Sequence, residues 1–145
     1  MARGNTFLND VLKLVFNATA IADIAEDDAT SPATNLYVSL HTADPGAGGA
    51  QNTSEMAYTS YARVAVARTT SGFVVANQTV GFVDNVAFPT STGGTGGTAL
   101  YFGIGKSSSG AGVLYFTGAI SPGIVVTTGV TPELSSASRA APSAI

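Results

Sequence analysis

The chain has 145 residues and contains no cysteine, no tryptophan and a single histidine. Without cysteine there is no disulfide framework and no thiolate metal site, which fits assembly in a reducing cytoplasm. A thiol nucleophile is excluded for the same reason. A Ser-His-acid triad would have to use His41, which sits on the polar side of a predicted strand, and the chain has no Gly-x-Ser-x-Gly turn. A hydrogen-bonding role for His41 at a strand end is therefore favoured over a catalytic base.

Charge is also scarce. Only 10% of the residues are charged, against about 25% in typical globular proteins. The net charge is −3, and the six Lys and Arg residues form no basic run, so a nucleic-acid partner is not expected. A surface with few charges suits permanent contacts better than a free monomer coated in Ser and Thr. We therefore expect a homo-oligomer.

No segment is apolar and long enough to cross a membrane, so a membrane partner is not expected. Residues 18–20 (Ala-Thr-Ala) imitate a signal-cleavage site. However, Asn9, Asp10 and Lys13 interrupt what would be the apolar core of such a signal. We therefore do not expect secretion.

The chain divides into three predicted segments: an N-terminal helical and acidic arm (1–34), a β-sandwich domain (35–134) and a flexible C-terminal tail (135–145). Thr6 could cap a helix whose apolar residues recur at helical spacing. Phe7, Leu14 and Phe16 widen the apolar stripe beyond one face. This width predicts that the helix docks on another subunit or protein and not merely on its own sheet.

From Asn35 onward the period is two, and glycine-rich turns separate the segments. This pattern indicates an all-β antiparallel sandwich or jelly roll of about seven to nine short strands. The predicted strands are Leu36–His41, Tyr61–Thr69, Phe73–Ala76, Thr79–Val83, Val86–Phe88, Leu100–Ile104, Val113–Ile120, Ile124–Thr127 and Val130–Leu134. We expect a bulge or turn at Asp84, because it falls on the apolar side of its strand. The Gly/Thr loop Thr90–Thr98 has no apolar anchor, so we expect a neighbouring subunit to order it.

Carboxylates are the remaining candidates for chemistry. A glycosidase needs two of them beside a sugar-binding cleft, and the β region offers only Asp44, Glu55 and Asp84. The acidic residues Asp23, Glu26, Asp27 and Asp28 lack the alternation of a calcium loop, so they indicate solvated surface. Residues 93–97 lack the Gly-Lys-Ser/Thr ending of a phosphate-binding loop. We therefore expect no enzymatic activity, no cofactor and no metal site.

Several of these segments together resemble a known family. They are Leu36 to Gly46 (LYVSLHTADPG), Glu55, the segment Tyr61–Val66, Phe88-Pro89, and Gly110–Phe116 with Gly118–Ile120. Together they are similar to small tailed-phage and prophage proteins generally labelled tail-fibre or minor structural proteins. The resemblance covers residues 5 to 134. The Ala-Pro-rich C-terminus departs from the family pattern.

The resemblance implies a non-enzymatic structural component of a tailed-phage virion that works through protein-protein contacts. Head decoration or cement, collar and tail fibre all fit the same residues. Its partners would be other virion proteins and copies of itself, in a trimer by preference or in a symmetric lattice, and it would assemble in the bacterial cytoplasm. One alternative is a receptor- or glycan-binding adhesin module, with Tyr37, Tyr58, Tyr61 and Tyr101 as aromatic contacts. A polysaccharide-degrading enzyme is the less favoured alternative.

Overall fold

The structure is a computed structural model that describes residues 5–21, 33–137 and 139–140. An all-β sandwich with one N-terminal helix is confirmed, and the strand number falls in the predicted range. The elements are α1 (Asn5–Asn17), β1 (Asn35–His41), β2 (Val64–Ala67), β3 (Phe73–Ala76), β4 (Thr79–Phe82), β5 (Val86–Ala87), β6 (Gly97–Gly105), β7 (Leu114–Val126), β8 (Glu133–Leu134) and β9 (Arg139–Ala140).

The strands form three antiparallel groups. The largest sheet has the order β2-β1-β6-β7, a second has the order β3-β4-β9, and β5 pairs with β8. Phe82 of β4 meets Phe102 of β6 with ring centroids 6.0 Å apart, so the two larger sheets face each other across the core. The inward alternate residues of both sheets supply most of the buried apolar side chains.

Helix α1 closes the core on its own domain. Leu8, Leu12 and Phe16 recur every four residues and are buried. The Phe16 ring lies 4.9 Å from Phe73 of β3 and 5.1 Å from Phe116 of β7, measured between centroids. The apolar stripe of α1 therefore packs within its own chain, and docking of the helix on another subunit or protein as well stays a prediction. The β3–β4 hairpin offers a complementary apolar face within the same chain.

Polar contacts fix the C-terminal end of α1. Arg68 donates to the carbonyls of Leu14 (2.7 Å) and Val15 (2.6 Å), which an α-helix leaves without internal partners. Asn17 donates to the carbonyl of Phe73 at 3.0 Å.

At the N-terminal end of α1, the predicted cap at Thr6 is wrong, because Thr6 lies inside the helix.

The bounds of two strands, β7 and β2, differ from the predicted ones. Two predicted strands, Val113–Ile120 and Ile124–Thr127, are one strand of 13 residues, β7. Its pairing with β6 shifts register between Ala99 and Tyr101, so the extra residues bulge without ending the strand. The segment Tyr61–Thr69 is regular only at β2, because Tyr61 and Arg63 are engaged in side-chain bonds described below. The expected break at Asp84 is present, as a bend between β4 and β5.

The Gly/Thr loop finds partners inside the chain. Thr59 donates its N–H to the carbonyl of Gly93 at 2.9 Å, and Ser91 donates its N–H to Val130 at 2.9 Å. Ser60 and Thr92 share a hydroxyl–hydroxyl bond. The expectation that a neighbouring subunit must order this loop is therefore wrong. Two segments remote in sequence, around Thr59 and Val130, supply the bonds that the loop cannot make by itself.

Within the predicted tail, Arg139 and Ala140 pair with Gly81 and Val80 of β4. The acidic residues Asp23, Glu26, Asp27 and Asp28 lie outside the described residues. The boundaries of the three segments predicted from sequence stay a prediction.

Candidate functional site

Three polar residues of the family-like segments, His41, Glu55 and Arg63, lie close together where the loop of residues 42–63 covers β1. His41 ends β1 and was expected as a hydrogen-bonding residue on the polar face of a half-buried strand. It is instead fully buried, together with Ser39. Its Nδ1 donates to the carbonyl of Thr53 at 2.8 Å, because a carbonyl can only accept. That bond fixes the tautomer, so Nε2 of the neutral ring accepts from the Ser39 hydroxyl at 2.8 Å.

These residues belong to a polar network that comprises Ser39, His41, Gln51, Glu55, Tyr61 and Arg63. A paired carboxylate and guanidinium form its centre. Arg63 Nε donates to Glu55 Oε1 at 2.7 Å, and its Nη2 donates to Oε2 at 2.8 Å. The Arg63 side chain is 2% exposed and that of Glu55 is 14% exposed. A fork-to-fork pair of this kind is the strongest ion-pair geometry available to side chains. Glu55 raises the pKa of Arg63 above its usual value, while burial opposes that rise.

The pair also joins three parts of the chain. Arg63 donates to the carbonyls of Ser107 (2.9 Å) and Gly110 (2.7 Å) in the β6–β7 connection. The Tyr61 hydroxyl donates to Glu55 Oε1 at 2.9 Å and accepts from the backbone N–H of Leu40 at 3.0 Å. Burial is the main cause that raises the pKa of Tyr61, so its proton stays on oxygen. The hydrogen bonds of Glu55, Tyr61 and Arg63 therefore hold the 42–63 loop and the β6–β7 connection against β1.

Gln51 is a member of the network that sequence reasoning missed. It is buried, accepts from the backbone N–H of Ser107 at 2.9 Å through Oε1, and donates to Tyr37 at 3.5 Å. Gly103 and Gly105 leave the space that these polar side chains occupy. A Cβ on Gly103 would lie 2.7 Å from His41 Nε2, and one on Gly105 would overlap Gln51. The glycines of β6 were the available sequence signal, because glycine inside a strand often marks close approach of another group.

This arrangement gives a matched pair of glycine variants. Gly105→Ala is expected to lower the free energy of unfolding by about 1–3 kcal/mol, because the new Cβ meets Gln51 and the Val113 carbonyl. Gly48→Ala should change it by less than about 0.5 kcal/mol, because nothing lies within 4 Å of a Cβ there. Urea unfolding followed by fluorescence or circular dichroism measures both. Equal stabilities of the two variants would contradict the packing of Gln51 against β6.

Burial lowers the pKa of His41 below its usual value, and Arg63 adds to that effect, while the Thr53 carbonyl and Glu55 oppose it. The folded protein therefore holds a neutral imidazole. The unfolded chain takes up a proton first as the pH falls through the ordinary His pKa of about 6.5. The stabilisation is thus complete above that pH and is lost as the pH falls towards the lower pKa of the folded state.

We expect the free energy of unfolding to decrease as the pH is lowered from about 7.5 to about 5.5, a window above the ordinary carboxylate pKa range. The free energy of unfolding of His41→Asn should depend less on pH in the same window, whatever its absolute value, because an asparagine side chain does not titrate between these pH values. Urea unfolding at several pH values measures both slopes. An identical slope in the two proteins would show that another group carries the dependence.

The remaining candidate carboxylates do not join this network. Asp44 is exposed, and its Oδ1 accepts from the Gly46 N–H at 2.9 Å, as a turn-stabilising side chain does. Asp84 is exposed at the bend between β4 and β5. In the described ranges, no three residues of the His, Cys, Asp and Glu types are grouped so that they could hold a metal ion. No helix among the described residues is long and apolar enough to span a membrane.

The polar residues that give the segments their family likeness are thus the ones that tie loops to the sheet. A comparison with protein families finds a match. The model of the family described as "Podophage GP4 fiber I protein gp80" matches residues 5–138. The chain belongs to this phage fibre protein family. No curated protein matches the chain.

Family membership makes the chain a phage fibre-type protein, and it fits the general family resemblance found in the sequence. The matched range includes α1, every strand from β1 to β8, and the complete polar network. The network is therefore part of the family domain.

Proposed function

We propose that this protein is a non-enzymatic structural subunit of a phage fibre, which acts through contacts with copies of itself and with other virion proteins. The main support for this proposal is that the charged groups of the polar network already have hydrogen-bond partners inside the chain. Both oxygens of Glu55 and the Nε, Nη1 and Nη2 atoms of Arg63 are engaged by partners inside the chain. Such groups hold loops in place, whereas a catalytic carboxylate must face a substrate.

The surface supports a role in assembly. Four large apolar side chains are exposed along or beside the β6–β7 pair, namely Leu100, Val113, Tyr115 and Val125. Neither β6 nor β7 contains a charged residue. Exposed apolar groups without surrounding charge favour permanent protein contacts. We propose a homotrimer, incorporated into particles in the bacterial cytoplasm.

The adhesin alternative loses part of its basis. Tyr58 is buried and its hydroxyl donates to the Pro89 carbonyl at 2.8 Å. Tyr61 is engaged with Glu55 and Leu40. Two of the four tyrosines expected to contact a receptor are therefore committed to the fold.

Purified particles provide the direct test. Quantitative mass spectrometry should find the protein in the virion at a copy number that is a multiple of three, in the range of a fibre subunit. Light scattering of the purified protein should give the mass of a trimer. Absence from purified particles would refute the structural role. A monomer that hydrolyses host polysaccharide, with activity lost in Glu55→Gln, would refute both the assembly and the non-enzymatic parts.

A further inference from the structure

A groove of about 410 Å³ separates β2 from β5. Its walls are the whole of β2 (Val64–Ala67) on one side and residues 84–87 on the other, with Ser71 and Gly72 also contributing. Strand β2 is an edge of the four-stranded sheet, and among the described strands β5 pairs with β8 alone. The groove therefore lies between two strand edges that belong to different sheets.

The hydrogen-bond register shows which backbone groups of β2 face this groove. The N–H of Arg68 donates to the Thr34 carbonyl at 2.9 Å, and the register continues as Asn35 with Ala67. In an antiparallel pair, hydrogen-bonded positions alternate along the strand. Val66 and Val64 are then bonded to β1, while the N–H and C=O of Ala65 point away from it.

The same alternation applies to β5. The N–H of Phe88 donates to the Pro132 carbonyl at 2.9 Å, and the register continues with Ala87 opposite Glu133 and Val86 opposite Leu134. Val86 is then bonded to β8, and the N–H and C=O of Ala87 point away from it. Ala65 and Ala87 are both solvent-exposed and both border the groove. No backbone bond between described residues pairs β2 with β5.

We propose that this groove is a strand-addition site, which receives an extended peptide segment of a neighbouring virion protein. The segment would bond to Ala65 along one edge and to Ala87 along the other, as in strand complementation. Strands already in a sheet cannot enter, because they have at most one free edge. The occupant is therefore a linear segment free on both edges. The inference rests on the proposed function, since it assumes that the protein acts through protein contacts.

Charge and size define the occupant further. The acidic residues after position 56 are Asp84 and Glu133. Asp84 lines the groove, and Asn85, which also lines it, donates its side-chain N–H to Glu133. No Lys or Arg among the described residues lines the groove. The walls carry the small side chains of valine and alanine. We therefore assign the occupant as a segment of small, β-prone residues that has a basic residue at one end and no acidic residue.

A peptide titration of the full chain tests this site. The probe is acetyl-Thr-Val-Ala-Thr-Val-Lys-amide, and the matched control carries glutamate in place of lysine. Amide shifts in NMR spectra of the labelled protein should concentrate at Ala65, Ala87 and their neighbours. The lysine peptide should bind more tightly than the glutamate peptide, and Asp84→Asn should remove that preference, because it removes the carboxylate that lines the groove.

Proline provides a selective variant. Ala65→Pro removes an N–H that faces the groove and no N–H that bonds to β1, as edge strands tolerate. This variant should weaken binding of the lysine peptide by about tenfold or more, because a backbone hydrogen bond at a desolvated edge is lost. A probe with alternate backbone nitrogens methylated tests the same bonds on the unaltered protein, so the result does not depend on how the variant folds.

Two outcomes would overturn the site: no shifts around Ala65 and Ala87 at millimolar peptide, or equal binding of the methylated and unmethylated probes. Neither outcome touches the proposed function, because particle incorporation and copy number are measured independently. Conversely, absence from particles together with peptide binding would refute the structural role and leave the strand-addition site in place.

Discussion

Replacing Arg63 by alanine is expected to lower the free energy of unfolding by about 3–5 kcal/mol, because it leaves a largely buried carboxylate without its charged partner. Glu55 would keep the Tyr61 hydroxyl as its one described donor. The carbonyls of Ser107 and Gly110 would also lose the guanidinium that now binds them. Arg63→Lys should recover only part of the loss, since an ammonium cannot reproduce the bidentate fork.

Urea unfolding of the wild type and variants measures this effect. Asp44→Ala is the matched control, because it removes an exposed carboxylate whose acceptor role is local to one turn. It should lower the free energy of unfolding by no more than about 1 kcal/mol. A cycle with Glu55→Gln should give a coupling of about 0.5–3 kcal/mol between Glu55 and Arg63. A loss below 1 kcal/mol for Arg63→Ala would contradict the structural role of the pair.

Replacing Phe16 by alanine is expected to lower the free energy of unfolding by about 3–5 kcal/mol, the range for deletion of a buried ring. Phe16 is fully buried and contacts Phe73 and Phe116, so the cavity would open where α1 meets both sheets. Thr19→Ala alters an exposed side chain just after the same helix and should change stability by less than about 0.5 kcal/mol.

Thermal unfolding followed by circular dichroism measures both variants. The same packing predicts the behaviour of a chain that lacks residues 1–20. It should be unfolded or aggregated, because Leu8, Leu12 and Phe16 cover an apolar face of the β3–β4 hairpin. A soluble, cooperatively folding truncated protein would show that α1 is dispensable for the domain, and that its buried face has another use.

Sequence patterns determined the elements that depend on local alternation. The strands β1, β3 and β4 were placed within a residue or two, because one side of each strand carries large apolar residues at period two. The helix was located by its four-residue apolar spacing, and its N-terminal boundary was not. Helix ends fray, so capping signals place them only to within about one or two residues.

The polar network could not be assembled from sequence. His41 stands out in the sequence as the single histidine and Glu55 as a candidate carboxylate, but the expected place for His41 was the polar face of a half-buried strand. What buries His41 is the loop that carries Gln51 and Thr53, and no periodicity predicts the path of a loop. The bonds from Arg63 to Ser107 and Gly110 span more than forty residues of chain. Only the folded arrangement brings such groups together.

The sequence by itself therefore determined the β-rich class, the N-terminal helix and the resemblance to phage fibre-type proteins, because composition and short-range spacing carry that information. The tertiary structure decided three other things: that α1 packs on its own sheets, that the Gly/Thr loop is held within the chain, and that the family-like polar residues are bonded to one another. Each of these depends on contacts between segments remote in sequence. Such contacts are selected by the packing and hydrogen bonding of the whole domain, which no local pattern records.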